Sequence, residues 1–269
     1  MPAVPWFGMD WSTLPSLWST LAVVCPLVLV GGMVDAVAGG GGLITLPSYL
    51  IAGVPAHLAI ATNQLSAAIG STASTVRLWR NGFANARLAV PAALFGFLGS
   101  VGGARIALLV PDAIFRDVLI VLLPIVAAVV LRRKSLAAKE RPMPRGRRWA
   151  LVAACSLACG LYNGFYGPGS GTFTLLAFTA VAGMALGDAS GDMKIWNLSA
   201  NVASVVTFAL HGQMWWLVGA VAGAFGMVGH YIGAGMVIRD GTRIVRPVIV
   251  GVLAMLFVRT GLELAGVIA

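Results

Sequence analysis

Two short stretches could do chemistry without any charged side chain. One is Gly39-Gly40-Gly41-Gly42; the other is Gly167-Pro168-Gly169-Ser170-Gly171. Both interrupt apolar sequence. Proline removes a backbone donor, and glycine permits close approach and positive φ. A helix broken there opens backbone N–H groups at the start of the next helix. Together with the helix dipole, those groups make an anion site. The expected contacts are Gly40, Gly41 and Gly42 from the first break, and Gly169, Ser170 and Gly171 from the second. Two such breaks meeting near a bilayer midplane would frame a pocket for a small oxyanion.

The polar side chains in apolar surroundings extend this set. They are Asp35, Asn63, Gln64, Asn163, Asp192, Lys194, Asn197 and Asn201. Intramembrane polar groups are costly unless paired, so they mark function or interhelical hydrogen bonds. Asn197 and Asn201 stand one helical turn apart and share a face. Asn63, Gln64, Asn163, Asn197 and Asn201 are the expected amide contacts. Lys194 either helps hold an anion or snorkels to the interface. Asp35 is the candidate for a coupling proton. Arg105 and Glu263 are weaker candidates.

Bond-making chemistry finds less support. Neither GxGxxG nor GxxxxGK occurs. A GxSxG elbow around Ser170 would need glycine where Pro168 stands. His57, His211 and His230 are isolated, and an intramembrane hydrolase pairing Ser170 with His211 or His230 is the rival reading. Cys25, Cys155 and Cys159 read as small apolar helix residues, with neither metal nor disulfide expected. No cofactor is implied.

These residues must be held by helices in lipid. The chain has 269 residues, of which 59% are hydrophobic and 10% charged. Soluble domains carry about 25% charged residues, so an ordinary soluble enzyme is excluded. At roughly 20 residues per span, about eight to ten crossings fit. The expected segments are 16–38, 43–56, 58–76, 88–110, 113–131, 149–166, 172–187, 190–210, 215–237 and 244–265. Two of them, 43–56 and 172–187, are short for straight spans and read as half-helices or tilted helices. The opening apolar run lacks the basic lead of a signal peptide and is expected to be retained.

The formal net charge is +9. Eight of the basic residues fall between Arg132 and Arg148. That run reads as a cytoplasmic loop facing anionic lipid, not as a nucleic-acid contact. Glycines four apart, as in Gly99/Gly103, Gly219/Gly223 and Gly229/Gly233, let helix backbones approach. Packing inside the monomer is the preferred reading of that spacing, with a homodimer interface as the alternative.

The sequence also repeats. GGMVDAVAGGGG ends on the first glycine run, and GLYNGFYGPGSG on the second. A helix bearing asparagine follows each, ATNQLSAAIGS and KIWNLSANVAS, and then a polar turn, Asn81-Gly82 and His211-Gly212. The offset is 129 to 130 residues, and it is expected to hold throughout. Residues 1–131 are therefore read as a first membrane repeat, 132–148 as the basic loop and 149–269 as a second repeat. If the short segments cross, each half has five segments and the halves are inverted; if they are re-entrant, the halves are parallel. The positive-inside rule favours inversion. Two like halves are the plan of a secondary transporter.

At these motifs the chain resembles the TauE/SafE family of sulfite exporters, over nearly its whole length. The resemblance rests on AGGGGLITLPSYLIAGVPAHLAIATNQ, GFYGPGSGTF, KIWNLSANVAS and the HGQMWW turn. It implies export of a small sulfur oxyanion or organosulfonate. The expectation is an all-α polytopic protein of the inner (cytoplasmic) membrane, whose partners are the lipid bilayer and a small anionic substrate. A non-transporting membrane-assembly protein is the third reading.

Overall fold

A computed structural model describes residues 14–111, 114–115 and 141–240. The expected span 113–131 apart from residues 114–115, the span 244–265, Glu263 and most of the basic loop lie outside the described residues. Among the described residues all regular structure is helical. In chain order the helices are α1 (Leu17–Ala38), α2 (Gly42–Ile51), α3 (Ala56–Arg80), α4 (Ala86–Leu109), α5 (Arg145–Phe165), α6 (Ser170–Leu176), α7 (Leu186–Leu210) and α8 (Trp216–Asp240). A π-helical turn, Ala177–Val181, prolongs α6. The basic run is not all loop, because α5 already begins at Arg145.

Glycine sets the breaks. The α1 end is closed by Gly39, at φ 73°, whose N–H donates to the Asp35 carbonyl. Gly167 and Gly169, at φ 95° and 80°, separate α5 from α6. Left-handed backbone of this kind costs glycine nothing and other residues 1–2 kcal/mol or so. Gly42–Ile51 and Ser170–Val181 are the two short apolar helices. At 1.5 Å per residue they reach about half of a 30 Å hydrocarbon layer.

Among the described residues, three helices are long and apolar enough to cross a membrane by length and composition alone: Leu17–Ala38, Ala86–Leu109 and Trp216–Arg239. Helices α3 and α7 have 25 residues each but carry polar side chains that the bundle encloses. Val76, Val202 and Val206 are among their exposed residues. This is an integral membrane protein, and most polar residues of α3 and α7 lie buried within the bundle.

Glycine stripes set which helices touch. A methyl group at Gly229 would overlap the Leu29 carbonyl, and one at Gly233 the Met33 carbonyl. That packs α8 on α1. At Gly99 and Gly103 it would overlap the Leu157 and Leu161 carbonyls, which packs α4 on α5. Gly219 and Gly223 press on Leu65 and Ile69 of α3. All three stripes are therefore spent inside the monomer.

These contacts also fix direction. Rising numbers face rising numbers, so α1, α3 and α8 run one way. The pairs Gly96–Trp196 and Ser100–Ser204 place α4 parallel to α7, and α4 runs with α5 as well. Between α3 and α7 the order reverses. The turn after α3 lies on Gly191, near the α7 start, where a methyl group would overlap the Phe83 carbonyl. The turn after α7 lies near the α3 start, where Trp215 N–H donates to Thr62 Oγ1 at 3.2 Å. One end of the bundle consequently gathers Arg77, Arg80, Arg87, Arg145, Arg147, Arg148 and Arg239, while Arg105 sits toward the other.

Candidate functional site

The two glycine breaks meet. Thr172, in the first turn of α6, donates its N–H to the Gly39 carbonyl at 3.2 Å and its hydroxyl to the Ala38 carbonyl at 2.8 Å. Those carbonyls would otherwise be orphaned at the end of α1. Gly171 faces Gly39 so closely that a Cβ on it would stand 2.7 Å from Gly39 Cα. A Cβ on Gly42 would stand 2.9 Å from Pro168 Cα.

Beside this junction is a cavity of about 40 Å³. A water needs roughly 10–15 Å³ on this measure, so the space suits a few waters or one small ion. Ten of the residues singled out from sequence line it: Asp35, Gly41, Gly42, Asn63, Gln64, Asn163, Gly169, Ser170, Asn197 and Asn201. Three expected contacts do not. Gly40 turns toward Thr172 Oγ1, Gly171 is spent against Gly39, and Lys194 is engaged elsewhere.

The amides form a directed relay. Ser170 Oγ donates to Asn163 Oδ1 at 2.7 Å, and Asn163 Nδ2 to Asn201 Oδ1 at 3.2 Å. Asn201 Nδ2 then donates to Asn197 Oδ1 at 2.9 Å. Gln64 Nε2 holds the Asn163 carbonyl at 2.8 Å, which ties α3 to α5. The relay runs toward Asn197, whose NH₂ group is its terminal donor. Asn63 Oδ1 is enclosed and has no hydrogen-bond partner among the described residues. Enclosed acceptors of this kind are costly unless a ligand or water satisfies them.

Lys194 does not reach the interface, as a snorkelling residue would. It is fully buried, and its ammonium donates to Asp35 Oδ2 at 2.7 Å and to the Asp35 backbone carbonyl. Asp35 Oδ1 accepts the Gly41 N–H at 3.3 Å. A carboxylate of the protein therefore already occupies a backbone donor of the first break, with a lysine as its counter-ion.

Sequence reasoning left His230 an isolated histidine, a partner only for the rival hydrolase, and did not place it at the cavity. It lines the cavity, with Nδ1 3.0 Å from Ser74 Oγ and Nε2 3.8 Å from Asp35 Oδ2. Glycine marked the spot: Gly32 and Gly70 face the ring, and a Cβ on Gly70 would stand 2.7 Å from it. The hydrolase pairing is not formed. Ser170 Oγ is bonded to an amide, His211 Nδ1 lies 2.8 Å from the Thr207 carbonyl, and His230 faces Ser74.

The sequence matches the family model described as sulfite exporter TauE/SafE over residues 24–260. It is 34% identical over 230 residues to a "probable membrane transporter protein" of Haemophilus influenzae, covering 86% of this chain and 90% of that protein. It is 31% identical over 241 residues to "probable membrane transporter protein ORF9" of a Sinorhizobium species, covering 89% and 91%. The same identity holds over 252 residues with "probable membrane transporter protein YfcA" of Escherichia coli K12, again covering 89% and 91%. No solved structure matches it.

Proposed function

The chain belongs to the sulfite exporter TauE/SafE family of membrane transporters, and from that premise we propose that it is a secondary transporter exporting a small anion. The substrate class is sulfite, an organosulfonate or a related organic acid. The observation that carries this reading is the composition of the cavity. It is lined by glycine backbone and amides, and it lies where two helix breaks meet inside an apolar bundle. The Asp35–Lys194 ion pair beside it is neutral as a unit, so the neutral donors remain for an anion.

In this reading the protein is multi-pass in the cytoplasmic membrane, built of inverted repeats 1–131 and 149–269 joined by 132–148. Four features support it. The bounds of α3 and α7 differ by 130 residues at both ends. Asn85 N–H donates to Asp192 Oδ1 at 2.8 Å, as Trp215 N–H does to Thr62 Oγ1, and both members of that pair shift by 130. Ser74–His230 recurs as Ser204–Ser100 with the same shift. Finally, α3 and α7 run oppositely, and the arginines gather at one end, as the positive-inside rule asks of a cytoplasmic face. The asparagine motifs themselves are out of this register. At 130 residues Gln64 corresponds to Lys194 and not to Asn197, so the halves diverge at the cavity. Alternating access is the rocking of one bundle against the other.

The test is flux of labelled sulfite and methanesulfonate in vesicles holding the purified protein. Protein-dependent movement, lost in Asn197→Leu while folding is kept, is the expected result. Absence of flux for every such anion in a folded, reconstituted protein overturns the reading. It would also favour the membrane-assembly alternative.

A further inference from the structure

We propose that His230 is the proton-coupling residue: its Nε2 takes up one proton as an anion enters the cavity, so the transported unit is an anion plus a proton. This rests on the anion reading above.

The charges around the cavity lead there. Among the described residues lining it, Asp35 and His230 carry the titratable side chains. Lys194 and Asp35 satisfy each other. An entering anion therefore leaves an enclosed space with uncompensated charge, which a low-dielectric site resists. Helix α8 faces three sets of groups at this level. From α1 comes Asp35; from α7 comes Lys194, through Asp35. From α3 come Ser74 and, one turn on, Arg77. The Arg77 guanidinium donates to the Tyr231 carbonyl at 2.6 Å and stacks on the Tyr231 ring, so it does not enter the cavity. Neither cation is free to balance the anion. The imidazole is the group left to do so.

The hydrogen bonds say which nitrogen acts. Ser74 Oγ spends its only hydrogen on the Ser71 carbonyl at 3.1 Å. In the tautomer that keeps this bond, Ser74 Oγ accepts from His230 and the imidazole hydrogen sits on Nδ1. Nε2 is left with its lone pair, 3.8 Å from Asp35 Oδ2. A proton arriving from water at the open side of the cavity binds that lone pair. It leaves as water takes it up when the anion departs on the other side. Uptake breaks an O–H bond of hydronium and makes N–H, and release to water reverses both. Asp35, the carrier expected from sequence, becomes instead the fixed partner of Lys194.

The experiment is calorimetric binding of methanesulfonate and sulfate to the purified full chain, in buffers of different ionisation enthalpy. Neither probe takes up a proton near neutral pH, so any proton counted belongs to the protein. About one proton per anion is expected, with affinity falling up to ~10-fold per pH unit above the titration. In His230→Gln the proton count should approach zero and the pH slope flatten. Binding without proton uptake in the wild type overturns the proposal, as does uptake that persists in His230→Gln. If that variant does not fold, Ser74→Ala frees Nδ1 and keeps the imidazole; an unmoved pH midpoint there overturns it equally. Failure of sulfite and both probes to bind at all defeats the anion reading itself, a distinct result.

Discussion

Lys194 Nζ and Asp35 Oδ2 stand 2.7 Å apart, joining α7 of one half to the broken end of α1 in the other. The same carboxylate takes the Gly41 N–H, so one side chain fixes the break, the start of α2 and the lysine together. Removing either partner leaves an enclosed charge without its complement.

Asp35→Asn and Lys194→Met should therefore each destabilise the folded protein, by roughly 3–5 kcal/mol for a buried pair. The double variant should recover much of that loss. Thermal unfolding monitored by size exclusion gives the cycle. Strict additivity would show that the two charges act independently.

The relay predicts a ranking of asparagines. Asn201 both accepts from Asn163 and donates to Asn197, whereas Asn197 is the terminal member. Asn201→Leu should cost two hydrogen bonds and Asn197→Leu one, at about 1 kcal/mol each. Asn197→Leu should leave a folded protein that no longer transports. Equal loss of folding in both would make Asn197 structural.

Glycines at the junction should differ sharply. Gly171→Ala drives a methyl group into the Gly39 backbone and should prevent assembly, whereas at Gly40 the nearest obstacle is the Thr172 hydroxyl at 3.3 Å. Gly169→Ala is strained by its φ of 80° and should impair both stability and flux. Ser170→Ala loses one hydroxyl bond and should retain flux. Complete loss of activity in a folded Ser170→Ala would revive the serine nucleophile.

Topology can be read with single cysteines. In a background lacking Cys25, Cys155 and Cys159, Asn81→Cys and Gly146→Cys should react only from the cytoplasmic side. His211→Cys should react only from outside. Asn81 and His211 follow the ends of α3 and α7, which run oppositely. Labelling of Asn81→Cys and His211→Cys from the same side would defeat inversion.

The sequence made the helices, the breaks and most of the cavity legible, because each has a local cause. Apolar runs define the spans, left-handed glycines close α1 and open α6, and amides in apolar surroundings line the cavity. What it hid depends on contacts across the halves. Lys194 and Asp35 are 159 residues apart, so nothing local announced their pairing. His230 lies on an apolar helix like any isolated histidine. Only the glycines packed around its ring show that it was given room.

The packing of α1 on α8 also sets an order of events during synthesis. Leu29 and Gly229 are separated by 200 residues in the chain. At 5–20 residues per second, α1 waits roughly 10–40 s in the bilayer before its glycine-striped neighbour is made. Meanwhile the turn after α3 lacks the Asp192 carboxylate that will bind Asn85. Until then the first half presents surfaces that fit a later part of the same polypeptide. They would equally accept the corresponding part of a second nascent chain.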